Sequence, residues 1–371
     1  MLRKFSVTNY KNFANTVTID FTDTRKYDFN TECVKNGLIN KALVLGRNGI
    51  GKSNLGLAIF DISYTLTDNV RNPLQMDSES FLNGNSSSKY ATFVYEFQKG
   101  EDILRFEYRK NSPLNIIYES LAVNDHVIFK RDGLMPADYS GLNELGIESL
   151  QVKVTNGPLS VLRFIYNNTV QKADSPITFI MDFVMRMLYF RSVQDGNQFI
   201  GLKSSGEMID QFIMSNKLVE EFQEFLRNTA GLELKLQTLH AAGMQDVLVQ
   251  KFKNRRMVFN SVASSGTKSL MLFYYWMKHF ANVSFLYMDE FDAYYHYELA
   301  ENILKLVIAQ NSFQAVMTTH NTDLVDNNLM RPDCYLLLTE AGIRSLPERT
   351  YRELREGHNL RKLLRGGEFD D

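Results

Sequence analysis

The sequence of 371 residues is short of several features that mark common protein classes. Only two cysteines are present, Cys33 and Cys334, which excludes a disulfide-stapled scaffold and makes a reducing cytoplasm the expected location. The formal net charge is −2, so no overall positive field attracts nucleic acid, and only a local basic patch stays open. No heptad repeat persists along the chain, which excludes a long coiled coil.

Segments that would enter or cross a membrane are also missing. The N-terminal segment MLRKFSVTNY turns polar early and contains no apolar signal-peptide core. The most apolar long window, 269–288, carries Lys278, His279 and Asn282 near its middle, which a membrane span does not tolerate. We therefore expect no membrane partner, and we interpret this window as a helix followed by a buried strand.

The hydrophobic pattern changes its period along the chain. Alternating or continuous apolar residues predict strands at 2–7, 17–21, 38–45, 90–97, 103–109, 116–123, 126–130, 283–288, 315–319 and 334–338. Helical spacing predicts helices at 51–66, 207–228, 265–280 and 297–310. The segment 73–90 is rich in Asn and Ser and is predicted to be a loop.

This order of elements predicts an α/β fold with a parallel sheet and crossover helices, together with an N-terminal antiparallel β region. We divide the chain into an N-terminal lobe at 1–140, a mainly helical insertion at 141–258 and a C-terminal lobe at 259–371. The three parts are expected to form one composite domain, because the motifs described next fall in both lobes.

The run Gly46-Arg47-Asn48-Gly49-Ile50-Gly51-Lys52-Ser53 matches the phosphate-binding pattern G-x-x-x-x-G-K-[ST]. It follows an apolar run and opens a helix, whose N-terminus attracts phosphates. Lys52 is predicted to reach the β- and γ-phosphates of ATP, and the Ser53 hydroxyl to ligate Mg²⁺. The neighbouring residues predicted to contact the nucleotide are Asn48, Gly49, Gly51 and Asn54. An ordinary glycine-rich turn is the alternative, disfavoured because the whole pattern and both flanks match.

A hydrophobic run in the last third of the chain ends in two acids, Asp289 and Glu290. In open α/β sheets, ligands bind at the carboxyl ends of the strands, where this run would place both carboxylates. Asp289 is predicted to hold Mg²⁺, and Glu290 to orient or deprotonate the attacking water. Taken alone, two acids at a solvated strand end would be the simpler interpretation, but the phosphate loop makes them the expected second half of its site.

Three further features resemble those of ABC-type ATPases. The run Ala263-Ser264-Ser265-Gly266-Thr267 resembles a variant of the Leu-Ser-Gly-Gly-Gln signature that lacks the leading Leu and the second Gly. Asp292 stands at the D-loop position, and His320 follows a predicted strand, where this class keeps its switch histidine. The alternatives are an N-cap role for Ser264 and Ser265 and a core position for His320.

The signature implies that two copies of the chain form each site. A Ser and a Gly at a helix N-terminus make an anion site from N–H groups and a hydroxyl. In ABC-type ATPases this anion site faces the γ-phosphate held by the other subunit. The resemblance therefore implies a head-to-tail homodimer, with larger oligomers left open. Loss of the γ-phosphate removes charge-assisted hydrogen bonds from both subunits, so hydrolysis would open the pair.

The whole chain resembles the AAA-15/AAA-21 group of bacterial ABC-like ATPases, which are related to the heads of SMC and OLD proteins. The stretches that carry this resemblance are Leu2-Arg3-Lys4-Phe5 through Asn12-Phe13, Tyr118-Glu119-Ser120-Leu121 with Phe129-Lys130-Arg131, Ser264-Ser265-Gly266-Thr267-Lys268, Asp289-Glu290-Phe291-Asp292 and Gly357-His358-Asn359-Leu360. The chain departs from the group at Tyr297, where Pro is usual. Gln194 is the candidate Q-loop glutamine, with a plain surface residue as the alternative.

Members of this group often stand in phage-defence modules, such as PARIS-like, Septu-like and retron systems, beside a separate effector that is commonly a nuclease. The resemblance therefore implies an ATPase that senses or scaffolds, and that holds or releases an effector protein in antiviral defence. The alternative is an SMC-like ATPase that acts directly on DNA in repair or chromosome maintenance, through the basic stretches 251–256 and 352–365. A transporter ATPase subunit is a third class, which would need a membrane partner.

Overall fold

The structure is a computed structural model that describes residues 1–69, 79–133, 135–147, 157–170, 172–191, 199–202, 207–240 and 245–370. The strands of these residues are β1 (Leu2–Thr8), β2 (Val17–Asp20), β3 (Val34–Lys35), β4 (Leu38–Ile39), β5 (Lys41–Leu45), β6 (Ala91–Lys99), β7 (Asp102–Ser112), β8 (Asn115–Val123), β9 (His126–Asp132), β10 (Met135–Asp138), β11 (Met187–Arg191), β12 (Phe199–Gly201), β13 (Leu236–Leu239), β14 (Val247–Lys251), β15 (Arg256–Val258), β16 (Phe285–Asp289), β17 (Gln314–Thr319), β18 (Tyr335–Thr339) and β19 (Gly342–Ser345). The α-helices are α1 (Lys52–Ile59), α2 (Asp61–Leu66), α3 (Val161–Asn168), α4 (Pro176–Met185), α5 (Ile209–Ser215), α6 (Val219–Ala230), α7 (Phe259–Val262), α8 (Ser265–Met277), α9 (Tyr297–Ile308) and α10 (Leu360–Arg365). Within these ranges, no helix combines the length and the apolar character that crossing a membrane requires.

An antiparallel sheet fills most of the N-terminal lobe, in the strand order β10-β9-β8-β7-β6-β1-β2. The alternating sequence explains these strands, because β6 buries every second residue from Ala91 to Phe97. The β8–β9 hairpin turns at Asn124 and Asp125, whose φ angles of 48° and 65° suit the tight turn of a two-residue hairpin. The predicted antiparallel β region is confirmed.

A second, mostly parallel sheet forms the centre of the molecule, in the order β12-β11-β16-β17-β5-β18-β19. Its five inner strands run parallel, and the two edge strands pair antiparallel. Strands β5, β16 and β17 are buried along their whole length, which explains the apolar runs at 42–45, 285–288 and 315–317 within them. The carboxyl ends of the parallel strands meet at one edge of the sheet, and the predicted α/β class is confirmed.

Helices cover both faces of this central sheet. Tyr189 and Tyr287 stack with their ring centroids 5.6 Å apart, and a Cβ at Gly56 would meet both rings, so α1 packs on their face. The next residue along β11, Phe190, stacks on Trp276 of α8. Because successive side chains of a strand point to opposite faces, α1 and α8 lie on opposite faces of the sheet.

Two predicted helices are each divided in the structure. The helix expected at 51–66 breaks at Phe60 into α1 and α2, and the Phe60 ring packs against Phe285 of the central sheet. The helix expected at 207–228 breaks into α5 and α6 near Lys217, whose φ is 57°. Hydrophobic spacing continues across both breaks, so it does not reveal where tertiary packing turns the chain.

The range 141–258, expected to be mainly helical, also contributes strands to the fold. The described residues of this range contain α3 to α6 but also β11 to β15, and β11 and β12 pair into the central sheet. Strand β11 escapes prediction because the apolar run of α4 leads into it without a turn signal. The strand expected at 38–45 is also divided, at Asn40, into β4 and β5. Part of the loop expected at 73–90 lies outside the described residues.

Candidate nucleotide-binding site

The phosphate-loop pattern forms the connection between β5 and α1. Gly49 and Gly51 have φ angles of 79° and 112°, in the left-handed region that other residues disfavour, and Gly51 directly precedes α1. Lys52 is only 4% exposed, and its Nζ donates to the carbonyl oxygens of Gly46 and Arg47 at 2.8 and 3.2 Å. The amine therefore lies inside the loop, at the amino end of a helix, where partial positive charge favours an anion.

The other predicted residues of the loop are distributed around this amine. Asn48 and Gly49 are exposed, and Ser53 is the partly buried second residue of α1. The Asn54 side chain makes a contact outside the loop, because its Nδ2 donates to Asn12 Oδ1 at 2.7 Å. The loop thus presents backbone, hydroxyl and ammonium groups around one helix N-terminus, which is the chemistry that binds phosphates.

Asn12 supports the phosphate loop, although no motif marks it for that role. Its Nδ2 donates to the carbonyl oxygen of Ile50 at 2.8 Å, while its Oδ1 accepts from Asn54. A Cβ at Gly51 would lie 2.3 Å from the Asn12 Nδ2 and would displace the amide. No local signal could have revealed this contact, because the turn that carries Asn12 meets the loop only in the folded chain.

Asp289 and Glu290 lie at the carboxyl edge of the sheet, where β16 ends. The Asp289 carboxylate is fully buried and accepts hydrogen bonds from Thr318 Oγ1 at 2.9 Å and Tyr189 OH at 3.2 Å. Glu290 has a φ of 47°, which is uncommon for a non-glycine residue, and its N–H donates to Thr318 Oγ1 at 2.8 Å. One hydroxyl on the neighbouring strand β17 therefore holds the carboxylate of the first acid and the backbone of the second.

Arg191 contacts both acids, although no sequence motif indicated a role for it. It ends β11 directly opposite Asp289, its register partner on the parallel strand β16. Its Nη2 lies 2.7 Å from Glu290 Oε2, and its Nε lies 3.6 Å from Asp289 Oδ2. The hydrogen bond from Arg191 is the main reason that the pKa of Glu290 lies below its usual range. Burial lowers the pKa of Lys52, and the nearby carboxylates of Glu290 and Asp289 act in the opposite direction.

Asp292 and His320 complete the carboxyl edge of the sheet. Asp292 is buried, and its Oδ2 accepts from Thr319 Oγ1 at 2.7 Å. Its Oδ1 has no hydrogen-bond partner among the described residues, and burial raises the pKa of Asp292. His320 follows β17 directly and is exposed, so a core position for this histidine is excluded.

The signature residues open α8. Ser264 is the N-cap of this helix, and its Oγ accepts from the Thr267 N–H at 3.2 Å, as the alternative interpretation expected. Ser265 is exposed at the first position of the helix. A Cβ at Gly266 would lie 3.1 Å from the carbonyl oxygen of Tyr294, so this glycine permits close packing on the segment that follows Asp292. Because α8 ends shortly before β16 begins, its N-terminus points to the carboxyl edge of the sheet.

The structure divides the predicted residues into two groups. The side chains of the first group lie close enough together to interact electrostatically. They are Lys52, Asp289, Glu290, Asp292 and His320. The signature residues belong to α8, which packs on the opposite face of the sheet from α1. Gln194, the candidate Q-loop glutamine, lies outside the described residues.

The donor atoms at the start of α1 and at the end of β16 fit Mg²⁺. Ser53 offers a hydroxyl next to Lys52, and Asp289 offers carboxylate oxygens, which are hard ligands. Mg²⁺ usually takes one or two protein carboxylates and completes its shell with water and substrate phosphates. Across the described ranges no group of three or more His, Cys, Asp or Glu gathers as a metal site.

Residues 215–326 match a family described as "AAA domain, putative AbiEii toxin, Type IV TA system". The matched range contains the signature and both acids as well as Asp292 and His320, whereas the phosphate loop precedes it. No curated protein sequence matches the chain.

Solved structures of SMC heads are similar to the chain at 14% identity. An SMC head bound to the C-winged helix domain of ScpA has a TM-score of 0.45, covering 93% of this chain and 96% of the other. The SMC head domain from Thermotoga maritima has a TM-score of 0.44, covering 95% and 99%. An SMC head with an extended coiled coil, bound to the C-terminal domain of ScpA derived from Pyrococcus furiosus, has a TM-score of 0.41, covering 93% and 95%. The family match confirms, over residues 215–326, the predicted resemblance to the AAA-21 group of ABC-like ATPases.

Proposed function

We propose that the chain binds and hydrolyses ATP. The observation that carries this proposal is the meeting of the phosphate loop with two carboxylates, since the buried Lys52 lies in the field of Asp289 and Glu290. In this role Lys52 contacts the β- and γ-phosphates, while Ser53 and Asp289 hold Mg²⁺. The bound metal would supply charge stabilisation to the phosphoryl oxygens.

Glu290 is the proposed general base for the attacking water. Before metal or nucleotide binds, the hydrogen bond from Arg191 holds the pKa of this carboxyl below its usual range. Glu290 is therefore already in the ionised state, which is the state that accepts a proton. The hydrogen bond from its N–H to Thr318 Oγ1 holds the backbone in place at the end of β16. We assign two further residues to the same reaction when two heads meet. His320 contacts the γ-phosphate, and Asp292 contacts the partner subunit.

We further propose that each ATP site needs two copies of the chain. The signature helix α8 and the phosphate-loop helix α1 cover opposite faces of one sheet, although both N-termini point to its carboxyl edge. Two N-terminal anion sites on opposite faces do not close on the same phosphate within one chain. In a head-to-tail dimer with two-fold symmetry, the α8 N-terminus of each copy meets the phosphate loop of the other. The pair then contains two equivalent sites.

Mixing two inactive variants tests this arrangement. Lys52→Ala inactivates the phosphate loop, and Ser265→Arg blocks the signature, so each variant alone should hydrolyse no ATP. A heterodimer of the two contains one intact composite site, so an equal mixture should regain about a quarter of wild-type turnover if subunits exchange freely. A mixture as inactive as its components, with exchange shown by differently tagged copies, would contradict the two-copy site.

We propose that ATP-dependent head closure holds or releases a separate effector protein in antiviral defence. Two observations support this role: the resemblance to the AAA-15/AAA-21 group, and the toxin named in the description of the matched family. A tagged Glu290→Gln protein, purified from its native locus with ATP and Mg²⁺, should retain the effector in stoichiometric amount. Lys52→Ala serves as the control, because a partner that depends on the closed state should be lost. Retention by neither protein would contradict the effector role.

A direct action on DNA is the second candidate, and one surface favours it. The β14–β15 hairpin is exposed along its turn and carries Lys253, Arg255 and Arg256. The C-terminal basic stretch is a weaker candidate, because Arg352 pairs with Glu368 and Arg365 with Asp323. DNA binding whose salt slope falls by about one per neutralised hairpin cation would support this candidate. Neutralising Arg352 and Arg365 instead is the matched control.

A further inference from the structure

Arg191 contacts both acids of the site, although the proposed ATP chemistry gives this residue no role. Its guanidinium directs Nη2 to Glu290 Oε2 at 2.7 Å and Nε toward Asp289 Oδ2 at 3.6 Å. The parallel pairing of β11 with β16 sets this reach, because Arg191 and Asp289 are register partners at the strand ends. The position of the arginine is thus built into the central sheet.

The two carboxylates need a cation near them. Asp289 is fully buried, and a buried carboxylate is costly without a partner of opposite charge. Glu290 follows it directly, and the left-handed backbone at Glu290 keeps the second acid at the same strand end. The hydroxyls of Thr318 and Tyr189 supply hydrogen bonds to Asp289 but no charge. Lys52 also acts on both acids from the phosphate loop. Arg191 contacts the two carboxylates directly and supplies its positive charge to both through a single planar group.

The sheet fixes the backbone of Arg191, but its guanidinium can leave the two acids. Its side chain is 46% exposed, so the free energy lost when the guanidinium leaves the ion pair for water is small. Asp289, in contrast, is fixed at the end of a buried strand by two hydroxyls. A competing cation would therefore displace the arginine and leave the carboxylate where it is.

We propose that Arg191 is the resident counter-cation of Asp289 and Glu290, a positioning residue that yields when a divalent cation binds at Asp289. The inference rests on the proposed function, because it takes Asp289 as the metal ligand. Two cations beside one buried carboxylate repel each other, so arginine and metal compete for Asp289. While the metal is absent, the ion pair with Arg191 holds the Glu290 carboxylate. Metal binding displaces the arginine and frees this carboxylate.

The competition is measurable without nucleotide, by titrating the purified protein with Mn²⁺ and following water-proton relaxation. Arg191→Gln should bind Mn²⁺ about fivefold more tightly than wild type, the factor that corresponds to removal of a partly exposed ion pair. Arg191→Lys should retain the wild-type affinity, since it keeps the charge. Arg186→Gln is the matched control, because it removes an exposed arginine at the other end of the same strand and should change nothing. Adding Asp289→Asn to Arg191→Gln should remove the tight Mn²⁺ site.

Each result bears on the inference. Tighter Mn²⁺ binding by Arg191→Gln, with Arg191→Lys like wild type, supports the competition. Equal affinity in wild type and Arg191→Gln, weaker binding by Arg191→Gln, or no detectable Mn²⁺ on either protein overturns it. A parallel titration of wild type with ATP and Mg²⁺ separates the two proposals. If ATP binds and depends on Lys52 while Mn²⁺ affinity is unchanged by Arg191→Gln, only the role of Arg191 fails. If ATP does not bind, the proposed function fails as well.

Discussion

Replacing Gly56 with alanine tests how the central sheet positions the phosphate loop. A Cβ at Gly56 would lie 2.5 Å from Tyr287 Cε1 and 2.8 Å from Tyr189 Cε2. Carbon atoms that are not bonded prefer separations of about 3.5–4.0 Å. The two rings cannot turn aside easily, because Tyr287 is fully buried and stacked on Tyr189. We therefore expect the substitution to push α1 away from β16 by several tenths of an ångström or more.

Two opposing effects set the magnitude. Overpacking a dense core costs about 1–3 kcal/mol. Alanine in place of glycine inside a helix returns up to about 1 kcal/mol. With that gain subtracted, the free energy of unfolding should fall by up to about 2 kcal/mol. The same shift strains the hydrogen bond of 2.6 Å from Tyr287 OH to the carbonyl oxygen of Lys52. Since Lys52 opens α1, ATP affinity should also fall.

Urea unfolding of the nucleotide-free protein measures the first effect, and titration with a fluorescent ATP analogue measures the second. Gly84→Ala is the matched control, because a Cβ at Gly84 meets no atom within 4 Å and should change neither quantity. If Gly56→Ala unfolds at the wild-type urea concentration and binds the analogue with wild-type affinity, α1 is not held as tightly against β16 as the contacts indicate.

Three further predictions follow from single groups. Lys52→Ala should lose ATP binding in the same titration, because it removes the ammonium inside the loop, and wild-type affinity would contradict the assignment of the loop. Glu290→Gln should bind ATP but lower turnover by about a hundredfold or more, the usual loss for a general base, and gel filtration with ATP should show more dimer. Rapid turnover by Glu290→Gln would remove Glu290 from that role. Burial lowers the pKa of Lys41 from its ordinary value of 10.5 to about 7, so between these pH values the unfolded chain binds a proton that the folded protein lacks. The stability of wild type relative to Lys41→Met should therefore rise with pH by about 1.4 kcal/mol per unit between pH 7 and pH 10. Parallel stability curves for the two proteins would contradict this pKa.

The phosphate loop and the strand ends could be predicted from the sequence because their determinants are local. Glycines at 49 and 51 permit the left-handed turns that wrap the loop, and Lys52 follows them directly as the first helical residue. Apolar runs at 285–288 and 315–317 identify buried strands, so Asp289, which ends β16, and His320, which follows β17, are expected at strand ends. Spacing alone was sufficient for these elements.

The predictions failed where the deciding contact joins remote segments or where two signals overlap. Strand β11 follows α4 within one apolar stretch, so the end of the helix and the start of the strand leave no local mark. With β11 unrecognised, Arg191 could not be placed beside Asp289. The break at Phe60 has the same origin, since its ring packs against Phe285 and Tyr189, which lie far from it in the sequence.

The sequence by itself determined the phosphate loop, the two acids at a strand end, the antiparallel β region and the α/β class, because each depends on residues close together along the chain. Only the tertiary structure decided that Asn12 supports the loop, that Thr318 and Arg191 hold the two acids, and that α1 and α8 cover opposite faces of one sheet. These features depend on strand order and register, which arise when distant segments pair and pack, and no periodicity within one segment encodes them.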